Sequence, residues 1–415
     1  MQALHAQLFR SEAPRLIAAL TRLFGVHNLA LVEDVVQDAF GRALDDWREH
    51  GVPNNPAAWL MAAAKNRALD MLRRDRTVRR FAPELGRLLD TEWTLTPLID
   101  EAFGATIVRD EQLRMMFSCC HPKLPEAAQL SLILNILCGF GAAEIAQALL
   151  ESRAAVEKRI ARGKRALAGA RQLFDLRASE FEARLSTVQR ALYLLFNEGY
   201  HGASGEHAVR AELCQEAMRL ALLLGEHERA ATPATCALAA LIWLHAARLP
   251  ARVDASGELS ALVDQDRARW DAALTARGLA FFEASAAGDT LSTYHVEAAI
   301  AAQHAAAASV EQTDWAAITA LYDRLFELAP SPVVALNRAI AIGQRDGAAA
   351  GITALEAIRD RDRLESYPFY PAARGEFELR RGNQNAAREH LSRALALARN
   401  GSERSFLERR LAACR

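Results

Sequence analysis

Three sets of side chains in this 415-residue chain are of types that could do chemistry. Cys119-Cys120-His121 sets two thiols and an imidazole in a row, the donors that zinc takes. Adjacent cysteines seldom both reach one tetrahedral ion, and none of the six cysteines, at 119, 120, 138, 214, 236 and 414, pairs at CxxC spacing. They are expected to be free, mostly buried thiols, with no metal and no other cofactor. Asn197, Glu198, Asp264 and Asp266 could form a paired-carboxylate site, one group serving as acid and the other as base. Helix caps and salt bridges to Arg248, Arg252 or Arg267 account for the same residues without catalysis, so no enzymatic activity is expected.

The third set is basic. Ala64 to Phe81 carries seven Lys/Arg against Asp70 and Asp75, a net +5, and Glu151 to Arg171 carries seven against Glu151 and Glu157, again +5. Between them, Ala82 to Glu111 has seven acids against Arg87 and Arg109, a net −5. The formal net charge of −1 therefore conceals a segregated distribution, and it does not exclude a polyanionic partner. Arg can read guanine O6 and N7 with two hydrogen bonds while other Lys and Arg side chains grip phosphates. Trp47, Trp59 and Phe81 lie near the first cluster, where bases of single-stranded DNA could stack, although Trp47 and Trp59 also suit a core.

Helices must position these groups. Ala, Leu, Arg and Glu dominate while β-branched runs are rare, so the expected fold class is all-α. Asn28 to His50 reads as one helix, Gly51-Val52-Pro53-Asn54-Asn55-Pro56 as a loop, and Ala57 to Arg74 as the next helix with Pro56 at its start. Residues 82–109 read as an acidic linker with little periodicity. Glu126 to Cys138 reads as an apolar helix closed by Gly139, followed by a short helix to Leu150 and a basic helix from Ala154 to Arg171. A short helix, a tight turn and a basic helix make a helix-turn-helix. From about residue 172 the chain is Ala-rich and helical. Small residues Ala305, Ala339 and Gly375, and turn residues Asp314, Gly347 and Gly382, recur at intervals of 33 to 36, the period of tetratricopeptide hairpins. Amphipathic runs Trp315 to Leu328, Ala348 to Ile358 and Asn385 to Ala398 follow those turns, and Pro330 closes a helix. No apolar run is long enough for a membrane span and no leader pattern opens the chain, so a cytoplasmic protein without a membrane partner is expected.

Several of these stretches carry a resemblance. Val32-Glu33-Asp34-Val35-Val36-Gln37-Asp38-Ala39-Phe40, Trp59-Leu60 and Lys65 to Arg74 resemble region 2 of bacterial sigma factors of the extracytoplasmic-function group. Leu124-Pro125-Glu126, Glu144-Ile145-Ala146 and Val156 to Leu167 resemble region 4 of the same proteins, in the same order. Phe117 to Pro122, Leu195 to Tyr200, Asp264-Gln265-Asp266-Arg267 and Ser331 to Ala339 are similar to signatures of the subgroup with a long helical C-terminal extension. The organisation so implied is region 2 at 1–81, linker at 82–109, region 4 at 110–171 and helical extension at 172–415, with tetratricopeptide-like repeats from about 294.

The resemblance implies a promoter-recognising partner of core RNA polymerase, through its β′ and β subunits. Asp34, Gln37, Asp38, Phe40 and Arg42 would dock on the β′ coiled coil. Asn54, Asn55, Asn66, Arg67, Arg73, Arg74 and Arg76 would melt and hold the single-stranded −10 element. Glu157, Lys158, Arg159, Arg162, Lys164 and Arg165 would meet double-stranded −35 DNA, where Glu157 prefers to accept from cytosine N4. Residues 172–415 carry 27 Lys/Arg against 31 Asp/Glu, and this acidic array is expected to tune activity or to bind an unknown ligand or protein. The rival reading is a helix-turn-helix regulator with a helical sensor domain that never engages polymerase.

Overall fold

The computed structural model describes residues 2–73, 105–120, 124–149, 151–169, 178–201, 209–252, 259–399 and 401–414. Among them there is no β-strand, so the all-α expectation holds. The chain forms two compact units, Met1–Leu195 and Phe196–Arg415.

In the first unit, α1 (Gln2–Phe24), α2 (Leu29–His50) and α3 (Pro56–Arg73) pack together. Helix α2 buries Leu29, Val32, Val35, Val36, Ala39, Phe40, Ala43 and Trp47, a helical stripe that faces Leu16, Leu20 and Phe24 of α1 and Leu60 and Ala64 of α3 in one core. Each buried Val, Leu or Phe side chain among them contributes roughly 1.5–3 kcal/mol by leaving water. Trp47 meets Trp59 edge to face, ring centres 5.6 Å apart. Helix α3 starts one residue before the expected position because Asn55 caps it: its Oδ1 accepts from the backbone N–H of Ala58 at 3.0 Å.

Most of the expected linker lies outside the described residues, but its end is helical: α4 spans Ala105–Cys119 and packs on α1. Arg22 of α1 and Glu111 of α4 form an ion pair of 3.1 Å. Helix α5 (Glu126–Leu132) continues through wider turns at Ile133–Leu137, and Gly139, at φ 66°, ends the run where expected. Helix α6 (Ala142–Ala148) and the basic α7 (Arg153–Ala168) complete the helix-turn-helix, and α7 stops short of the expected Arg171. Helix α8 (Ala178–His201) begins in the first unit, where Phe181 stacks on Phe117 at 4.1 Å and Arg184 donates to the Phe117 carbonyl at 3.1 Å. The first unit thus runs past residue 171, because α8 supplies part of its core.

The second unit continues with α9 (Ala211–Gly225), α10 (Pro233–Ala246), α11 (Leu249–Arg252), α12 (Ala272–Ser285), α13 (Thr293–Ala306), α14 (Trp315–Leu328), α15 (Pro332–Arg345), α16 (Ala348–Glu356), α17 (Phe369–Arg380), α18 (Gln384–Ala396) and α19 (Gly401–Ala412). Helix α10 is apolar all round and is enclosed by α9, α12 and α13. From α13 onward each helix packs on the next, the arrangement that the 33-to-36-residue period implies. Gly375 permits one close crossing, since a Cβ there would lie 2.7 Å from Leu391. Gly343 and Gly351 permit another against the ring of Phe377, where added Cβ atoms would lie 2.2 and 2.6 Å away. Among the described residues no single helix is long and apolar enough to cross a membrane.

Candidate nucleic-acid interface

Helix α7 separates its residues by face. Val156, Ile160, Gly163 and Leu167 are buried, while Arg153, Glu157, Lys158, Arg162 and Arg165 are exposed. Ser152 fixes where the helix starts, its hydroxyl accepting from the Ala155 N–H at 3.3 Å. Lys158, Arg162 and Arg165 lie on adjacent turns, a basic strip of the kind that enters a major groove. Arg165 folds back on its own helix, donating to the Ala161 carbonyl at 3.2 Å.

The other residues expected on this strip are held elsewhere. Arg159 pairs with Glu151 and donates to the Ser131 hydroxyl at 3.5 Å, which ties α7 to α5. Lys164 points toward α2, its Nζ 2.6 Å from Glu33 Oε1. Glu157 is exposed but pairs with Arg153 at 2.7 Å, so an acceptor for cytosine N4 must first leave its partner. Arg153 is absent from the sequence expectation. Its i, i+4 spacing to Glu157 is the signal that points to it.

On α2, Asp34, Gln37, Asp38 and Arg42 are exposed at helical spacing, and Gly41 among them leaves open space. Phe40 corrects the expectation: it is 3% exposed and its ring sits edge to face with Phe9, centres 5.0 Å apart. It belongs to the core because position 40 continues the buried stripe of Val32, Val36, Ala39 and Ala43. Asp38 and Arg67 are joined by an ion pair of 3.0 Å, bringing one residue of each expected surface together. Asn54 and Asn66 are exposed, whereas the Asn55 carbonyl oxygen is committed to the α3 cap. The side chain of Arg73, and Arg74, Arg76 and Phe81, lie outside the described residues, as does His121.

The other chemical candidates are engaged with partners of their own. None of the six cysteines forms a disulfide, and all but Cys236 are buried. Burial and the neighbouring Cys120 and Cys138 push the Cys119 thiol well up, and burial pushes Cys120 up to about 12, so both stay protonated. Among the described residues no cluster of three His, Cys, Asp or Glu could hold a metal ion. Glu198 pairs with Arg210 at 3.7 Å, Asp264 with Arg410 at 3.9 Å, and Asp266 caps a short helical turn by accepting from the Ala268 N–H at 3.0 Å. Capping is as expected for Asp266. The expected salt bridges to Arg248, Arg252 and Arg267 are not formed, because the acids face other partners.

Comparison with known proteins finds three matches along the chain. Residues 8–78, which hold α2 and α3, match Sigma-70 region 2, and residues 114–167, which end with α7, match Sigma-70, region 4. The chain belongs to the sigma-70 family. Residues 184–286 of this sigma factor match a family of unknown function (DUF6596). An uncharacterized protein of Rhizobium meliloti (strain 1021) is 39% identical over 404 residues, covering 97% of this chain and 93% of its own. The similarity thus runs through both regions and the helical C-terminal part of this sigma-70 chain, whose role is that of a DNA-binding, transcription-initiating factor of the extracytoplasmic-function type.

Proposed function

We infer that the chain binds core RNA polymerase through the exposed α2 face and directs it to promoters read at two elements. Asp34, Gln37, Asp38 and Arg42 meet the β′ subunit, and the β subunit is contacted as well. Asn54, Asn55, Asn66, Arg67, Arg73, Arg74 and Arg76 hold the melted −10 strand. Lys158, Arg162 and Arg165, with Arg153 and Glu157 beside them, meet the −35 duplex. Extruding bases costs a few kcal/mol, offset by stacking and phosphate contacts along the single strand. The polymerase supplies the catalysis, and the acidic C-terminal helices tune activity within the same chain.

The observation that carries this reading is the presence, in order, of both sigma-70 regions, the second displaying an exposed basic strip on a capped helix. A regulator built only on a helix-turn-helix has no use for the first. Run-off transcription with purified core polymerase on a genomic promoter library tests it. Specific transcripts that depend on the added chain are expected. Absence of both transcripts and core binding, with duplex binding retained, would establish the helix-turn-helix regulator instead.

A further inference from the structure

The second unit contains a group of cations, one buried and two half-buried, that pair with no anion among the described residues. Arg248 is 9% exposed, and its hydrogen bond runs to the Gln265 side-chain oxygen at 3.4 Å. Its guanidinium lies 5.4 Å from the Trp270 ring centre and 5.9 Å from that of Tyr200. Arg252 also lies over the Tyr200 ring, 4.2 Å from its centre, and donates to the Tyr200 carbonyl at 3.0 Å. Arg267 lies 5.3 Å from the Trp270 ring and donates to the carbonyls of His304 and Ala307 and to the Thr313 hydroxyl. Among the described residues no carboxylate forms an ion pair with any of the three.

The alternation along Asp264-Gln265-Asp266-Arg267 explains the imbalance. Asp264 and Asp266 are exposed and committed to Arg410 and to a backbone N–H, while Gln265 and Arg267 turn inward. Glu311 acts on Arg267 from a distance but is fully exposed and held by Ser309, and Glu297 acts on Tyr322. Burial, with Arg248 and Arg267 adding to it, pushes His304 down to about 3, so this imidazole is neutral and brings no charge of its own. Four buried polar atoms of this group have no hydrogen-bond partner among the described residues: Tyr200 Oη, Trp270 Nε1, Arg267 Nε and His304 Nδ1. Desolvated cations and orphaned donors are costly for folding unless something they bind repays the arrangement. Arg252, Arg267 and Trp270 are half-buried and form its solvent-facing side.

We propose that Arg248, Arg252 and Arg267, with Tyr200 and Trp270, form a binding site in the C-terminal unit for a small anion bearing carboxylate or phosphate groups. Guanidinium forks match both groups in two-point geometry, and the two rings hold the forks in place. The site stands independently of how regions 2 and 4 act, so it survives or fails separately from the promoter reading.

Titration calorimetry of the full chain with citrate and with inorganic phosphate, at ionic strength fixed with sodium chloride, tests it. Saturable one-site binding of either anion is expected, weakened by ~10- to 100-fold in Arg248→Met, the loss expected for one charge-assisted contact. Preference for citrate identifies a carboxylate ligand, and preference for phosphate a phosphorylated one. Without added anion, Arg248→Met should melt at a higher temperature than the parent, because it removes an unpaired buried charge. No saturable binding of either anion, or equal binding by Arg248→Met, overturns the proposal. If Arg248→Met does not fold, Arg252→Gln replaces it under the same criteria.

Discussion

Lys164 Nζ of the basic helix donates to Glu33 Oε1 of α2 at 2.6 Å, although the two residues stand 131 positions apart. Region 4 is therefore fastened to region 2 through a lysine that the sequence reading assigned to DNA. Elements centred at −35 and −10 lie ~85 Å apart at 3.4 Å per base pair, so α7 cannot reach the first while it rests on α2, which packs on the α3 proposed for the second. This pair must break when both elements are engaged. An ion pair this accessible contributes about 1 kcal/mol or less. Glu33→Gln should raise two-element promoter binding by core-loaded protein by up to ~5-fold at low salt, with the gain fading as salt rises. Filter binding at two ionic strengths measures it, and an unchanged affinity would mean that the contact does not hold the regions together.

On α2, stability and partner binding should separate cleanly. Phe40→Ala removes a core ring and should destabilise by ~3–5 kcal/mol, seen as an earlier urea midpoint. Asp34→Ala and Gln37→Ala, both exposed, should leave that midpoint within about 0.5 kcal/mol while weakening capture of core polymerase. Loss of binding only in the destabilised variant would remove α2 from the docking surface.

Along α7, Arg162 and Arg159 should behave differently. Arg162→Ala should cost about 1–3 kcal/mol confined to one −35 base pair if it reads an edge, and should weaken all sequences uniformly if it grips phosphate. Arg159→Ala should instead lower thermal stability, because it unties α7 from Glu151 and Ser131. Competition binding over single-base variants of the site, set beside melting curves, resolves the two.

The acid side of the stability profile should carry a mark of His304. Its folded-state value, about 3, lies below the ordinary 6.5, so the unfolded chain takes up the proton more readily. Stability attributable to this residue is therefore complete above about pH 6.5 and is lost progressively as pH falls toward 3. The difference between urea midpoints at pH 7 and pH 5 should shrink in His304→Gln. An identical difference in both proteins would show that the buried imidazole does not titrate between the two states.

Packing in the repeat region rests on a ring against two glycines. Gly343→Ala should destabilise by roughly 1–3 kcal/mol because the new methyl would overlap Phe377, and Phe377→Leu should recover part of that loss. A double-mutant cycle in thermal unfolding reads the coupling, which would vanish if the helices simply move apart.

Much of this was legible in the sequence, and the exceptions share a cause. Periodicity located α2, α7, α14, α16 and α18, because a stripe of apolar residues at helical spacing needs no knowledge of its partner. The motif order identified regions 2 and 4. What one dimension hides is pairing across distance. Lys164 looks like any basic residue of its helix until Glu33 is placed beside it, and Phe40 looks like a docking residue until Phe9 covers it. The Arg248, Arg252 and Arg267 group was read as part of salt bridges, since nearby acids in sequence suggest partners that the fold then turns away. Gly343 and Gly351 carried no periodic signal, because Phe377 belongs to a later helix.

Gly163 lies on the hidden side of α7, where a methyl would come within 2.7 Å of Leu132. The distance between the reading helix and its support is thus set by a residue that never faces DNA. An alanine at this position would require either the Leu132 side chain or the helix bearing Lys158, Arg162 and Arg165 to give way, so the seating of that strip depends on a residue outside it. If the strip reads promoters as proposed, preference can drift through changes in the protein interior, and exchanging surface residues alone leaves one of its determinants in place.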